Sequence, residues 1–365
     1  MDPRKIILHI GHGKTGSSYL QSCLALNKSK LMEYGIDYPE HRSFGNAISG
    51  KISSGNGVDF LELLPCLNSD SESILFSYEG LHSTLLRSSE FLDMLASKKY
   101  TFKILLYTRN LFDHKFSSWG QAVKRGGCTK DVSDFFIEKP AGPYKYVLQW
   151  LKLMDKYEFD LIVRNYSNNK RSLAQRFFSD ITELSNIELE FPEVTTVNRS
   201  LTSVELSFQR VLNRLELGSS RLSDYLVNSL PDVKPSKVKC NQEAYDLVVD
   251  ANFNSIELIN KYLDSRDIVE IEPSEDVTFS EFEANDRQLT DDQIDLIVNY
   301  FSARFIPLDG LEMDAIHAVA VNIANNSENL QDAMSLMKIL QAKRPKNSSI
   351  KKLLSQWNEQ IVGDF

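Results

Sequence analysis

The stretch IILHIGHGKTGSSYLQ, Ile6 to Gln21, decides how the rest of the chain is read. Ile6 to Ile10 is a β-branched, largely apolar run of the kind that forms a fully buried strand. Gly11, Gly13 and Gly16 follow, and a backbone without Cβ atoms at these points can approach a ligand closely. Ser17 and Ser18 fall where a helix begins. Leu20, Cys23, Leu24 and Leu31 then recur at helical spacing, with Gly35 as the C-cap. Free N–H groups at a helix start, two hydroxyls and the Lys14 ammonium together make a cradle for a phosphate or a similar oxyanion.

Composition sets the outer bounds. At 365 residues the chain exceeds one typical core, so a main domain with an appendage is expected. A net charge of −9 and a pI near 5.3 argue against general nucleic-acid binding, because no broad basic field would draw in a phosphate backbone. A polyanionic substrate must therefore meet a local patch. No apolar h-region precedes the first strand and no run reaches spanning length, so neither signal peptide nor membrane anchor is expected, and the location expected is the cytoplasm. Cys23, Cys66, Cys128 and Cys240 show no CxxC spacing, which suits reduced thiols and offers no metal site. None of the six histidines stands in an HxxxH pair; His41, His114 and His317 read as polar surface or satisfied loop residues.

In chain order, strands alternate with helices. Gly35 to Pro39 reads as a short extended piece and Arg42 to Gly57, rich in Ser, Gly and Asn, as a loop. Ser73 to Ser77 is a second buried strand, Phe102 to Thr108 a third and Phe159 to Val163 a fourth. Helices are expected over Leu111 to Arg125, stopped by Gly126-Gly127, and over Tyr144 to Tyr157 and Arg171 to Ile181. This is the pattern of an α/β fold with a parallel sheet covered on both faces, in which ligands sit at the carboxyl ends of the strands. Lys14, Glu79 and Arg109 all fall there. Beyond Val197 the chain is mostly helical, clearest over Leu201 to Leu217 and Asn241 to Leu263. The expected organisation is an α/β domain over 1–271, a connecting or lid loop over 272–288 and a helical extension over 289–365. Within the extension, Ala315 to Asn358 resembles one and a half tetratricopeptide-type hairpins, with Ala318, Ala324, Ala333, Leu336 and Pro345 near the expected places; a helical lid is preferred over a partner-binding array.

The loop nearly matches the Walker A pattern GxxxxGK[ST] through Gly13, Lys14 and Thr15. Leu8 stands where the leading glycine belongs, and Gly16 interrupts where that helix would already run. A second motif weighs further: Arg109, at the end of the third strand, is followed eight residues later by Ser117 in RNLFDHKFSSWGQAVK. A forked guanidinium suits a ribose phosphate, and a hydroxyl from the next helix can complete its shell. Ser117, Gln121 and Lys124 are spaced to share one helix face. Together, Lys14-Thr15-Gly16-Ser17-Ser18 and the Arg109/Ser117 pair resemble the two phosphate motifs of sulfotransferases that use 3′-phosphoadenosine 5′-phosphosulfate (PAPS), in its bacterial and Golgi carbohydrate-type branch. The resemblance covers roughly Lys5 to Ile271 and weakens after Lys124.

That resemblance implies a P-loop-like sheet and transfer of a sulfuryl group from PAPS, without a metal. It implies that Lys14 bridges the 5′-phosphate and the leaving oxygen while Gly13, Thr15, Gly16, Ser17 and Ser18 form the 5′-phosphate loop. Arg109 and Ser117 would hold the 3′-phosphate, and Tyr19 either stacks on adenine or packs within its helix. The family's later basic, glycine-rich loop has no clear match; Arg199 and Lys239 are the nearest basic residues and neither is assigned. Glu79 stands where carbohydrate sulfotransferases place a catalytic glutamate, with His82 three residues on as the substitute base; Glu79 could instead cap the turn or orient Lys14. Lys115, Lys124, Arg125 and Lys130 meet an anionic sugar or form a solvated helix face. The acceptor implied is a saccharide or glycolipid hydroxyl in a bacterial cytoplasm. A P-loop kinase and a non-catalytic nucleotide-binding scaffold remain as alternatives.

Overall fold

A computed structural model describes residues 4–51, 53–58, 60–64, 71–185, 187–192, 199–214, 220–230, 233, 240–272, 292–293, 296–297, 310–326, 330–344 and 346–363. The chain divides into two compact units, Met1–Gln293 and Ile294–Phe365. The first is an α/β fold around a five-stranded, wholly parallel sheet of strands β1 (Arg4–Gly11), β2 (Ile36–Asp37), β3 (Ser73–Ser77), β4 (Tyr100–Thr108) and β5 (Asp160–Asn165), in the order β2-β3-β1-β4-β5. The chain leaves the central β1 toward β2 and β3, then returns across it to β4 and β5. The carboxyl end of β1 is therefore the switch point where such sheets open a crevice.

The strands form where they do because they are apolar on both faces. On one face Ile6, Leu8, Ile10, Phe76, Ile104 and Leu106 pack with Phe91, Trp119 and Trp150; on the other Ile7, Leu75, Leu105 and Tyr107 pack with Leu20, Leu24, Phe177 and Ile181. The period-two alternation across a parallel register, Ile6↔Ile74 and Leu106↔Val163 among the pairs, makes both layers dry. Gly11 is the last residue of β1, and a Cβ there would come within 2.6 Å of the Tyr107 carbonyl oxygen. Only glycine lets the chain turn so close to its neighbour at that point.

Two local expectations change. The helix expected from Ser17 to Gly35 divides into α1 (Ser17–Leu26) and α2 (Lys28–Glu33). Asn27 causes the break by turning its Nδ2 back on the Cys23 carbonyl and across to the Glu190 carbonyl, both at 2.8 Å. The loop expected over Arg42 to Gly57 contains a one-turn helix, α3 (Phe44–Ile48). Past it, Asn56 completes the edge of β3, donating to the Leu75 carbonyl and accepting from Ser77 N–H, each at 2.8 Å.

The expected segment 272–288 lies, Glu272 apart, outside the described residues, as do Cys66, Lys239 and Pro345. In the second unit the helices Gly310–Asn326, Leu330–Lys343 and Ser348–Gly363 enclose their own core of Ala320, Ala333, Met337, Leu340, Ile350 and Trp357. Among the described residues no helix is long and apolar enough to cross a membrane.

Candidate active site

At the carboxyl ends of β1, β3, β4 and β5 lies a cavity of about 460 Å³. Lys14, Gly16, Ser17, Ser18 and Tyr19 line it from the first loop, Glu79 from the end of β3, Arg109 from the end of β4 and Ser117 from the helix that follows, α4 (Leu111–Arg125). The loop's shape is set by two left-handed residues, Lys14 at φ 71° and Gly16 at φ 80°. At Gly16 a Cβ would fall 2.6 Å from Leu173 and 2.8 Å from Tyr166, so nothing larger than glycine fits. Thr15 is fully buried and faces inward, its hydroxyl donating to the His12 carbonyl at 2.8 Å. Ser17, at the start of the ten-residue α1, keeps a buried hydroxyl with no hydrogen-bond partner.

The two motifs meet directly. Arg109 donates from Nη1 to the Lys14 carbonyl at 2.9 Å and lies over the Tyr166 ring at 5.3 Å. Its own backbone is anchored, the carbonyl accepting from the Tyr144 hydroxyl at 2.8 Å. The next residue, Asn110, donates to Glu270 Oε2 at 2.7 Å and accepts from Asn165 at 2.6 Å. Arg109 is thus held from three directions while Nε stays buried without a hydrogen-bond partner. Burial lowers the pKa of Lys14, Glu79 opposes that shift, and Lys124, Arg125 and Arg109 add to it. The carboxylate of Glu79 lies close enough to the loop that a Cβ on Gly13 would sit 3.9 Å from Oε1.

His82 stands just outside this lining. Its Nδ1 pairs with the Glu79 carbonyl oxygen at 2.8 Å, and because a carbonyl only accepts, Nδ1 carries the proton and Nε2 the lone pair. Its ring lies edge-on to His12 at 5.8 Å, and His12 in turn to His114 and Tyr144, both at 5.4 Å. Burial lowers the pKa of all three histidines, that of His114 to about 3, so the floor under the two motifs is neutral. The expectation for His114 is corrected: it is neither a surface nor a satisfied loop residue but a half-buried member of this cluster on α4, with Nδ1 buried and without a hydrogen-bond partner. His41 is a satisfied loop residue, with Ser43 at 3.1 Å.

Other basic residues are used elsewhere. Of Ser117, Gln121 and Lys124, only Ser117 lines the cavity; Lys124 turns to Asp224 at 3.0 Å. Arg125 holds the same Asp224, Lys130 pairs with Glu138 and Lys115 is buried against the Lys139 carbonyl, so these four cations are held by different partners rather than forming one solvated face. Arg199 forms a buried two-bond pair with Glu205. Sequence reasoning did not single out Tyr166, Lys170, Phe191, Pro192 or Ser200, which complete the lining. Tyr166 follows β5 directly, with Lys170 just past the short helix Tyr166–Asn169, and both could have been found by asking what stands at that strand's carboxyl end. Among the described residues there is no cluster of three or more His, Cys, Asp or Glu able to hold a metal ion.

No protein-family model matches the chain, and no curated protein matches it by sequence. Among solved structures, the chain is similar to retinol dehydratase in complex with androsterone and inactive cofactor PAP, with a TM-score of 0.28 and 12% identity over 68% of this chain and 70% of that one. A likeness of that size leaves the functional reading to the residues of the cavity.

Proposed function

We propose that the sheet-bearing unit transfers a sulfuryl group from PAPS to a hydroxyl of a saccharide or glycolipid precursor by in-line displacement, in a bacterial cytoplasm. The observation that carries this reading is the hydrogen bond from Arg109 to the Lys14 carbonyl in one shared cavity, the proximity that a single bisphosphorylated nucleotide held by both motifs would require. The donor set suits such a group. Ser17 has a buried, unpartnered hydroxyl at a helix start, Gly16 leaves room for close approach, and Arg109 and Lys14 supply the charge. In an acidic chain, cations gathered at one cavity make the local patch a polyanion requires.

Bound PAPS supplies the activated sulfuryl group. The residues that would hold its 5′ end are Gly13, Lys14, Thr15, Gly16, Ser17 and Ser18; Arg109 and Ser117 would hold its 3′-phosphate, with Tyr19 beside the base. Lys14 neutralises charge on the departing phosphate, and Glu79 partly offsets the lowering of its pKa by burial. Glu79, in the lining, takes the acceptor proton. His82 is the substitute, neutral and with its lone pair on Nε2.

The test is transfer of labelled sulfate from PAPS to a glycan pool, together with the thermal shift given by 3′,5′-ADP without magnesium. Lys14→Ala and Glu79→Gln are each expected to reduce turnover by about a hundredfold or more. Full turnover in Glu79→Gln with loss in His82→Gln would move the base to His82. A shift with magnesium-ATP and none with 3′,5′-ADP would replace sulfuryl transfer with kinase chemistry, and 3′,5′-ADP binding without transfer to any acceptor would leave a scaffold.

A further inference from the structure

Lys170 is a cation of this cavity that neither sequence motif accounts for. It follows the short helix Tyr166–Asn169 at the end of β5, and its side chain is half exposed. Its Nζ lies 3.7 Å from Asp113 Oδ2 and 5.7 Å from the centre of the Tyr166 ring. On α4 Asp113 stands four residues before Ser117, on the same helix face, and Arg109 lies two residues before that helix begins. Arg109 Nε lies 4.0 Å from the same Asp113 oxygen, which also accepts from the Ser167 hydroxyl at 2.6 Å. One carboxylate thus stands between two cations, close enough to orient both, with neither at hydrogen-bond distance. Tyr166 lies beneath both cations.

On the reading that the cavity binds PAPS, we propose that Lys170 is a nucleotide-binding residue which, with Arg109 and Ser117, holds the ribose 3′-phosphate and sets the preference for 3′-phosphorylated nucleotides. A phosphate dianion exceeds what one guanidinium can neutralise. A flexible ammonium adds a point charge beside the planar fork. Lys170 can make this move with little rearrangement, because its side chain is half exposed and its counter-ion is already shared. Arg199, the nearest alternative from the sequence, is held in its buried pair with Glu205. Asp113 is the positioning residue that keeps both cations turned toward that helix face.

Calorimetric titration of the full chain with 3′,5′-ADP and with 5′-AMP tests the assignment. The unaltered protein is expected to prefer 3′,5′-ADP. Lys170→Ala should weaken 3′,5′-ADP about tenfold or more while leaving 5′-AMP unchanged, and Lys170→Arg should restore most of the loss. Equal affinity of Lys170→Ala and the unaltered chain for 3′,5′-ADP, or an equal loss for both nucleotides, would overturn the role of Lys170 and leave the PAPS reading standing. Failure of the unaltered chain to bind 3′,5′-ADP would remove both.

Discussion

Acid should loosen the sheet through His9, and the amount can be worked out. His9 lies in mid-β1 with Nδ1 2.8 Å from Ser77 Oγ, its ring edge-on to Tyr107 at 5.4 Å and to Phe177 at 5.0 Å, and Nε2 buried without a partner. Burial pushes its pKa from 6.5 to about 3. The unfolded chain therefore takes up a proton that the folded chain refuses. Stability is complete above about pH 6.5 and is lost as pH falls from there toward 3. At pH 5, about 1.5 units below the unfolded value at 1.36 kcal/mol per unit, His9 alone removes about 2 kcal/mol. His114 and His12 act in the same direction, so a variant is needed to isolate the share of His9. His9→Gln keeps an amide to face Ser77 and has no proton to gain. The assay is urea unfolding at pH 7 and pH 5, read by hydrogen exchange in the peptide that carries β1. On acidification the unaltered chain should lose about 2 kcal/mol more than the variant; equal losses would refute the argument.

Two further outcomes concern the loop. Gly16→Ala combines a left-handed backbone with side-chain contacts at 2.6 and 2.8 Å, so it should cost about 2–4 kcal/mol in urea unfolding and abolish 3′,5′-ADP binding; a loss under 0.5 kcal/mol would contradict the described packing. Lys14→Gly should be about 1 kcal/mol more stable than Lys14→Ala, since only glycine adopts φ 71° without strain, while both lose sulfate transfer; equal stability would show that Lys14 is unstrained.

Most of the fold could be read from the sequence because the four long strands are apolar on both faces and bounded by polar residues, a pattern that leaves few other structures. Each observed strand begins and ends within two residues of the expected span. The helix break at Asn27 was not legible, because its cause is a carbonyl at Glu190 brought near by folding. The site divides in the same way. Lys14 and Arg109 carry local signatures, a glycine-bracketed loop and a residue at a strand end. Lys170 has only the weaker signature of standing a few residues past a strand end, and its place beside Arg109 comes from the β4–β5 pairing, in which Thr108 lies opposite Asn165. The cluster of His12, His82 and His114 has no sequence spacing at all; the segments that follow three separate strands bring it together.

The bond from Arg109 to the Lys14 carbonyl bears on why the two motifs occur as a pair. A lysine in the left-handed region costs about 1–2 kcal/mol, and such a conformation persists only where its surroundings fix it. Here the surroundings include Arg109 on the Lys14 carbonyl and Thr15 on the His12 carbonyl. Arg109 can do this because Tyr144 and the Asn110 contacts with Glu270 and Asn165 hold its own backbone. The second motif therefore shapes the first without any ligand. With the Lys14 backbone and the Arg109 guanidinium joined at one cavity, the cost of bringing their like charges together is met by the fold, and on the proposed function a bound polyanion would relieve that repulsion. An anion touching only one motif would relieve less of it, which is why the proposed ligand is one charged at both ends.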